Sequence, residues 1–521
     1  MLLDDKVGLM VTMEAFPGHF LDVCQLSEAG LLPGIMEGVT YDTEKKTVHV
    51  GPDIATGETE ILIDPEAERR LLHKLDLHII PVIMITYLVA FLDRSNVGNA
   101  KVAGMVTDLN LTGSKFNVLA SIFYVTYIAF EIPTSTYLKK FGASKLIPAI
   151  VIAWSLVATF SAFVQSYGGM IAIRLLLGAC EAGLFPCFNL YLSSLYKRDE
   201  QAKRFCMIFV AQALAGAFGG LLAYGILKMD GVAGWAGWRW LFCIEGLASL
   251  VVGVADIFLL PDSAESAYFL TPAEKDLVRL RALQSASYHG PSTPDIDWTQ
   301  VRAAFRSPMV WLSGWIQMCT NTCLYGFSTF LPTIINGMGY TSVQAQYLTI
   351  PIYLLGAIIY FLTAIGVDRT QRRAPFMFFW GLFTVAGYCT LLSATKPSIL
   401  YFACFLVAMG LYVFDGLNML WLAGNVAPHY KRAVAIGMNQ TIGNIGGVIA
   451  GQIYVARDSP LYRMGQGVSL AGILTGYVSA VGMFFLLRRL NRGKDVKRGE
   501  MGGVEGEDGL GDASPWFIYK T

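Results

Sequence analysis

Charge is what this sequence has least of. Only 15% of its 521 residues are Asp, Glu, Lys or Arg, where a soluble domain carries about 25%. A soluble multidomain enzyme needs a better hydrated surface. Neither sign is in surplus, since 39 bases meet 39 acids, which excludes a nucleic-acid binder built on basic excess. Histidine is scarce, at six. The nine cysteines follow neither a zinc spacing nor a disulfide framework, and most sit in apolar stretches as small packing residues. No phosphate-binding glycine loop appears, so ATP drive is not expected. Neither a metal, a cofactor nor enzymatic chemistry is expected, because no nucleophile or metal-ligand grouping is present. A basic start is missing as well. Asp4, Asp5, Glu14 and Asp22 argue against a cleavable signal peptide.

Apolar residues are abundant instead, at 54%, with aromatics at 12%. Such a chain is too hydrophobic for disorder. Stretches of about 20 apolar residues, enough to cross a bilayer, recur near 78–98, 114–138, 145–165, 168–195, 204–228 and 238–260. They recur again near 309–332, 343–366, 374–395, 398–425, 433–456 and 467–488. The expected fold is an all-α membrane protein of 12 transmembrane helices in two six-helix halves, 71–260 and 307–488. A middle loop, 261–306, separates them, and tails run over 1–70 and 489–521. Residues 1–70 carry 14 acids against 5 bases and are expected to lack regular structure, apart from a helix opening at Asp64-Pro65-Glu66.

Loop charge sets the expected orientation. Loops after even-numbered spans, with the middle loop, hold 17 bases against 5 on the other side. The positive-inside bias then puts both termini in the cytoplasm. The halves also echo one another. Gly216-Ala-Phe-Gly219-Gly220 in the fifth span matches Gly443-Asn-Ile-Gly446-Gly447 in the eleventh. Small residues at that spacing let helices approach closely, and parallel halves are a secondary-transporter architecture.

Loops after spans two and eight read Lys139-Lys140-Phe-Gly142 and Asp368-Arg369-Thr-Gln-Arg372-Arg373. They resemble the hinge-loop signature of the major facilitator superfamily, with Lys139 in the usual Asp position. Leu92-Asp93-Arg94-Ser-Asn96, Phe130-Glu131-Ile-Pro133, Arg174-Leu-Leu-Leu-Gly178-Ala-Cys-Glu181 and Gly237-Trp-Arg239 are similar to strings of its fungal anion:cation symporters. That branch includes allantoate, pantothenate and nicotinate permeases. The resemblance spans roughly 64–490. It implies a monomeric plasma-membrane carrier.

Charges inside a membrane cost at least ~2.5–3.5 kcal/mol each and persist where they pair or meet water. Asp93 and Arg94 lie in span one. In span four, Arg174 and Glu181 are seven residues apart on one face, with Gly178 between them. An arginine offers a carboxylate a planar fork. An organic anion can compete with Asp93 or Glu181 for Arg94 or Arg174, and protonating the acid frees the arginine. The resemblance implies the same division of roles. Asp93 and Glu181 are proton sites, Arg94, Arg174 and Gln212 bind the anion, and Arg174 also partners an acid.

Gln317, Asn321 and Tyr325 form a stripe in span seven. With Asp415, Asn418, Asn439 and Asn444 they can line the opposite wall. Glu131 and Glu245, near span ends, are expected to pair with loop arginines. The leading expectation is proton-coupled symport of a small organic anion by alternating access. Efflux of a secondary metabolite on the same fold and a non-transporting nutrient sensor are the alternatives.

Overall fold

The computed structural model describes residues 38–42, 47–51, 63–197, 200–289, 298–427, 429–500, 512 and 514–520. The rest of the expected N-terminal tail and Arg198 of the charge count lie outside them, as does the Lys139 side chain. Part of that tail has regular structure after all. Strands β1 (Gly38–Asp42) and β2 (Thr47–Gly51) form an antiparallel hairpin with Val39 opposite Val50.

Helices follow in both halves. The first half holds α1 (Pro65–Ala100), α2 (Lys115–Thr136), α3 (Ala143–Phe160), α4 (Tyr167–Glu181), α5 (Leu184–Leu195), α6 (Gln201–Ile226) and α7 (Gly237–Leu259). The middle loop folds into α8 (Pro272–His289) and α9 (Trp298–Arg306). The second half holds α10 (Pro308–Gly337), α11 (Ser342–Thr370), α12 (Ala374–Ser393), α13 (Pro397–Asn425), α14 (His429–Ile453) and α15 (Arg463–Glu500). Helix α15 runs well past the expected end of its span at 488, and residues 512 and 514–520 then pack back on the bundle. Two compact units result. Residues 1–78 with 264–294 form one, and 79–263 with 295–521, containing both sets of helices, form the other.

Among the described residues, ten helical segments are long and apolar enough to cross a membrane. Helices α10 and α14 fall short of that mark. Their polar residues explain it: Gln317, Thr320, Asn321 and Thr322 interrupt α10, and Asn439, Gln440 and Asn444 interrupt α14. The usual burial pattern is inverted. Phe258, Val251, Val478 and Phe485 are exposed, whereas Asn96, Gln317, Asn418 and Asn439 are buried. Surfaces like this belong against lipid, with polar groups turned to one another.

The fourth span departs from the expected continuous helix. It breaks after Glu181, where Gly183 adopts φ +83° before α5 begins. Glycine takes that left-handed conformation without a Cβ penalty. Pro186, two residues into α5, has no N–H to give a continuous helix.

The halves pack together at one end. There Val97, Leu109, Phe116, Trp238, Phe330 and Tyr454 share one apolar cluster. Asn117 donates to the carbonyls of Gly451 and Tyr454, at 2.7 and 3.1 Å. Ser121 donates to Val448 O at 2.9 Å. The repeated glycines make this approach possible. Gly216 and Gly220 of α6 lie against Tyr353 and Thr349 of α11, and Gly447 of α14 lies against Tyr124 of α2. The two contacts correspond, α6 on α11 and α14 on α2, the fifth span of each half lying against the second span of the other.

Candidate functional site

Asp93 and Arg94 are adjacent on α1, so their side chains leave it about 100° apart and reach different neighbours. Arg94 Nε donates to Glu181 Oε1 at 2.5 Å, with side-chain exposures of 8% and 0%. Its guanidinium lies 4.6 Å from the Tyr127 ring centroid and 5.6 Å from that of Phe123. Those faces attract the cation. Asp93 instead turns into the first half. Its Oδ2 accepts from Trp154 Nε1 and Ser249 Oγ, both at 3.0 Å.

Glu181 is the last residue of α4, so the helix break carries its carboxylate toward α1. Arg174 does not pair with it as the seven-residue spacing suggested. Seven residues rise about 10 Å, whereas helix pairs meet at three or four. Arg174 is buried, and it forms no hydrogen bond among the described residues. Two buried polar atoms, Arg174 Nη2 and Glu181 Oε2, are left without partners. Each such atom costs about 1–3 kcal/mol, which a bound ion or proton can offset. Gln212 is buried on α6 and makes no hydrogen bond among the described residues.

The second half brings most of its expected set together. Gln317 Nε2 donates to Asp415 Oδ1 at 2.5 Å. Asn418 donates to Gln317 Oε1 at 2.7 Å and exchanges bonds with Ser313, to which Asn439 also donates, at 2.8 Å. Asn321 stands apart from this network and lies against Gly443.

Tyr325 points elsewhere. Its hydroxyl donates to Asn444 Oδ1 at 3.2 Å, and Asn444 Nδ2 donates across the halves to Glu131 Oε2, also at 3.2 Å. The rings of Tyr124 and Tyr325 lie 4.9 Å apart across the same seam. Glu131 therefore does not pair with a loop arginine. Glu245 does not either, and accepts from Asn96. Both acids are buried, beyond reach of loop cations. Sequence reasoning missed Tyr127, Trp154 and Ser249 as partners of the charged pair. Tyr124, Tyr127 and Glu131 lie at intervals of three and four on α2, a face that the pattern could have revealed.

At the hinge loops, Gly142 has φ +81°, and a Cβ there would run into the Asp262 carboxylate. Ser144 N and Oγ both donate to that carboxylate, at 2.9 and 2.7 Å. In the second loop, Gln371 donates to Asp368 O at 2.7 Å, and Arg369 and Arg372 are exposed.

Paired halves, a broken fourth helix and buried charges describe a carrier fold, and the Major Facilitator Superfamily sequence model matches residues 83–451. The chain belongs to the major facilitator superfamily. An uncharacterised transporter of Schizosaccharomyces pombe is 48% identical over 425 residues, 81% of this chain and 84% of that one. The high-affinity nicotinic acid transporter of Saccharomyces cerevisiae is 35% identical over 460 residues, 87% and 85% of the two chains. The solved structure of a proton:xylose symporter aligns with a TM-score of 0.61 at 13% identity, over 76% of this chain and 94% of that one. In this major facilitator transporter, Glu131 reaches across the halves to Asn444, whereas Asp93, Arg94 and Glu181 bond within the first half.

Proposed function

We propose that this transporter is a proton-coupled symporter of a small organic anion, a monocarboxylate or vitamin acid such as nicotinate. The observation that carries the reading is the buried Arg94–Glu181 pair, in which Glu181 Oε2 has no partner, with Arg174 Nη2 likewise unpartnered two turns back on α4. A proton arriving at Oε2 neutralises Glu181 and loosens its hold on Arg94. The substrate carboxylate then takes the guanidinium, with Arg174 as second cation. Tyr127 and Phe123 offer flat aromatic faces at the same place, suited to a planar aromatic acid. Asp93 is a second proton site inside the first half. Gln212 and the set Gln317, Asp415, Asn418 and Asn439 complete the surroundings and select the substrate. Similarity to the yeast nicotinic acid transporter supports this substrate class.

We count α10 and α14 as spans, twelve in all, and read the loop charges as favouring cytoplasmic termini; the family resemblance favours a plasma-membrane monomer. The sealed end then lies outside, and the conformation is closed outwardly.

Uptake of a labelled acid panel, nicotinate included, at two pH values in a permease-deficient host tests the proposal. Wild type should accumulate substrate faster at the lower pH. Arg94→Ala should abolish uptake. Glu181→Gln should keep exchange and lose pH dependence. Wild-type uptake by Arg94→Ala would defeat the assignment.

A further inference from the structure

A second charged site lies away from the helices' central residues. A cavity of about 580 Å³ opens between α9, the start of α10, the start of α14 and the far part of α15. Three cations line it: Arg302 and Arg306 of α9 and Lys431 of α14. Both arginines are exposed, and neither forms an ion pair among the described residues. Leu486 and Leu490 of α15 form an apolar wall.

The chain itself places an anion there. Asp512 reaches Lys431 Nζ with both carboxylate oxygens, at 2.7 and 2.8 Å, and its side chain is 4% exposed. One carboxylate cannot balance three cations.

The helix bordering the cavity has a membrane-surface pattern. Trp298, Arg302, Phe305 and Arg306 fall at intervals of four, three and one, on one helical face. Trp298 is 65% and Phe305 51% exposed. Trp311, at the start of α10, is also exposed. Aromatic rings interleaved with arginines suit the headgroup level of a bilayer. Leu490 is exposed on α15 at the cavity, and Leu486, one turn further into the span, lies on the same face.

We propose that this cavity binds the headgroup of an anionic phospholipid. The phosphate meets Arg302, Arg306 and Lys431, and the acyl chains run along Leu490 and Leu486. A free anion would use the cations and leave the apolar wall bare, so the lipid is the occupant that fits both. The Asp512 carboxylate shares Lys431 with the headgroup and competes with it. The inference needs the membrane-spanning fold alone and is independent of the transported substrate.

Native mass spectrometry of the purified full-length protein with added phosphatidylserine, phosphatidylcholine or inorganic phosphate tests it. Phosphatidylserine should bind more tightly than phosphatidylcholine. Each cation near a membrane surface contributes roughly a fivefold effect, so Arg302→Ala/Arg306→Ala should weaken phosphatidylserine binding by about 25-fold. Phosphatidylcholine, whose choline offsets its phosphate charge, should lose less affinity than phosphatidylserine in the same variant. Asp512→Asn, which removes the competing charge and keeps the arginines, should strengthen phosphatidylserine binding severalfold. Unchanged phosphatidylserine affinity in either variant would overturn the proposal. Tighter binding of inorganic phosphate than of phosphatidylserine would also overturn it, because a free anion would then be the occupant.

Discussion

At Arg94, one side chain meets a carboxylate on one side and two aromatic faces on the other. Removing it leaves Glu181 buried without its cation, and breaking a buried pair in this way costs about 3–5 kcal/mol. Arg94→Ala should therefore lower the unfolding temperature in detergent. Arg94→Ala/Glu181→Gln should recover most of that loss while transport stays abolished. A double variant no more stable than the single one would mean that the pair is not coupled. The charged residues were legible in the sequence, because each is costly within an apolar span. Their partners were not. Arg174 shares a helix face with Glu181, yet the cation that reaches Glu181 comes from α1, 87 positions away.

Among the elements, the fourth span shows how local chemistry sets a functional shape. Gly183→Ala would force a Cβ into the left-handed region, at roughly 1–2 kcal/mol. That Cβ would also lie 2.7 Å from Thr134 Cβ. Lower thermal stability and slower uptake are expected, since Glu181 depends on the break; a melting curve and an uptake assay would read them. In the smaller unit, α8 begins with Thr271 and Glu274 bonding each other's backbone, while Lys74 of α1 reaches Glu274 at 2.8 Å. Burial pushes the Glu274 carboxyl up, but hydrogen bonds from Lys74 and Thr271 outweigh it and hold its pKa below the ordinary value. Its contribution to stability is thus present above the ordinary carboxylate range and is lost as pH falls through the lowered value. Protection of the α8 amides, corrected for the intrinsic pH dependence of exchange, should hold near neutrality and fall once the medium is more acidic than the ordinary carboxylate range; unaltered protection in acid would contradict this.

For the whole molecule, the glycine repeat decides how the halves close. A Cβ on Gly447 would meet the Tyr124 ring, and one on Gly98 would meet the Thr329 carbonyl. Gly447→Leu should hold that end apart and stop the transport cycle without preventing membrane insertion. Ser121→Cys, beside the seam, should become reactive to an impermeant maleimide in the Gly447→Leu background and stay protected without it. Protection in both would show that this contact does not govern closure. The repeat was readable as a pair of strings, but its partners, α11 for one copy and α2 for the other, were not.

Composition and periodicity by themselves determined a helical membrane protein in two related halves, with a few charges too costly to lack a purpose. Those properties follow from transfer energies and helix geometry, which act residue by residue. Only the tertiary structure decided that Arg94 holds Glu181, that Asp93 turns to Trp154 and Ser249, and that Glu131 reaches across to Asn444. Each of these depends on which helices lie side by side and how each is rotated, and segments distant in the chain set both through their packing.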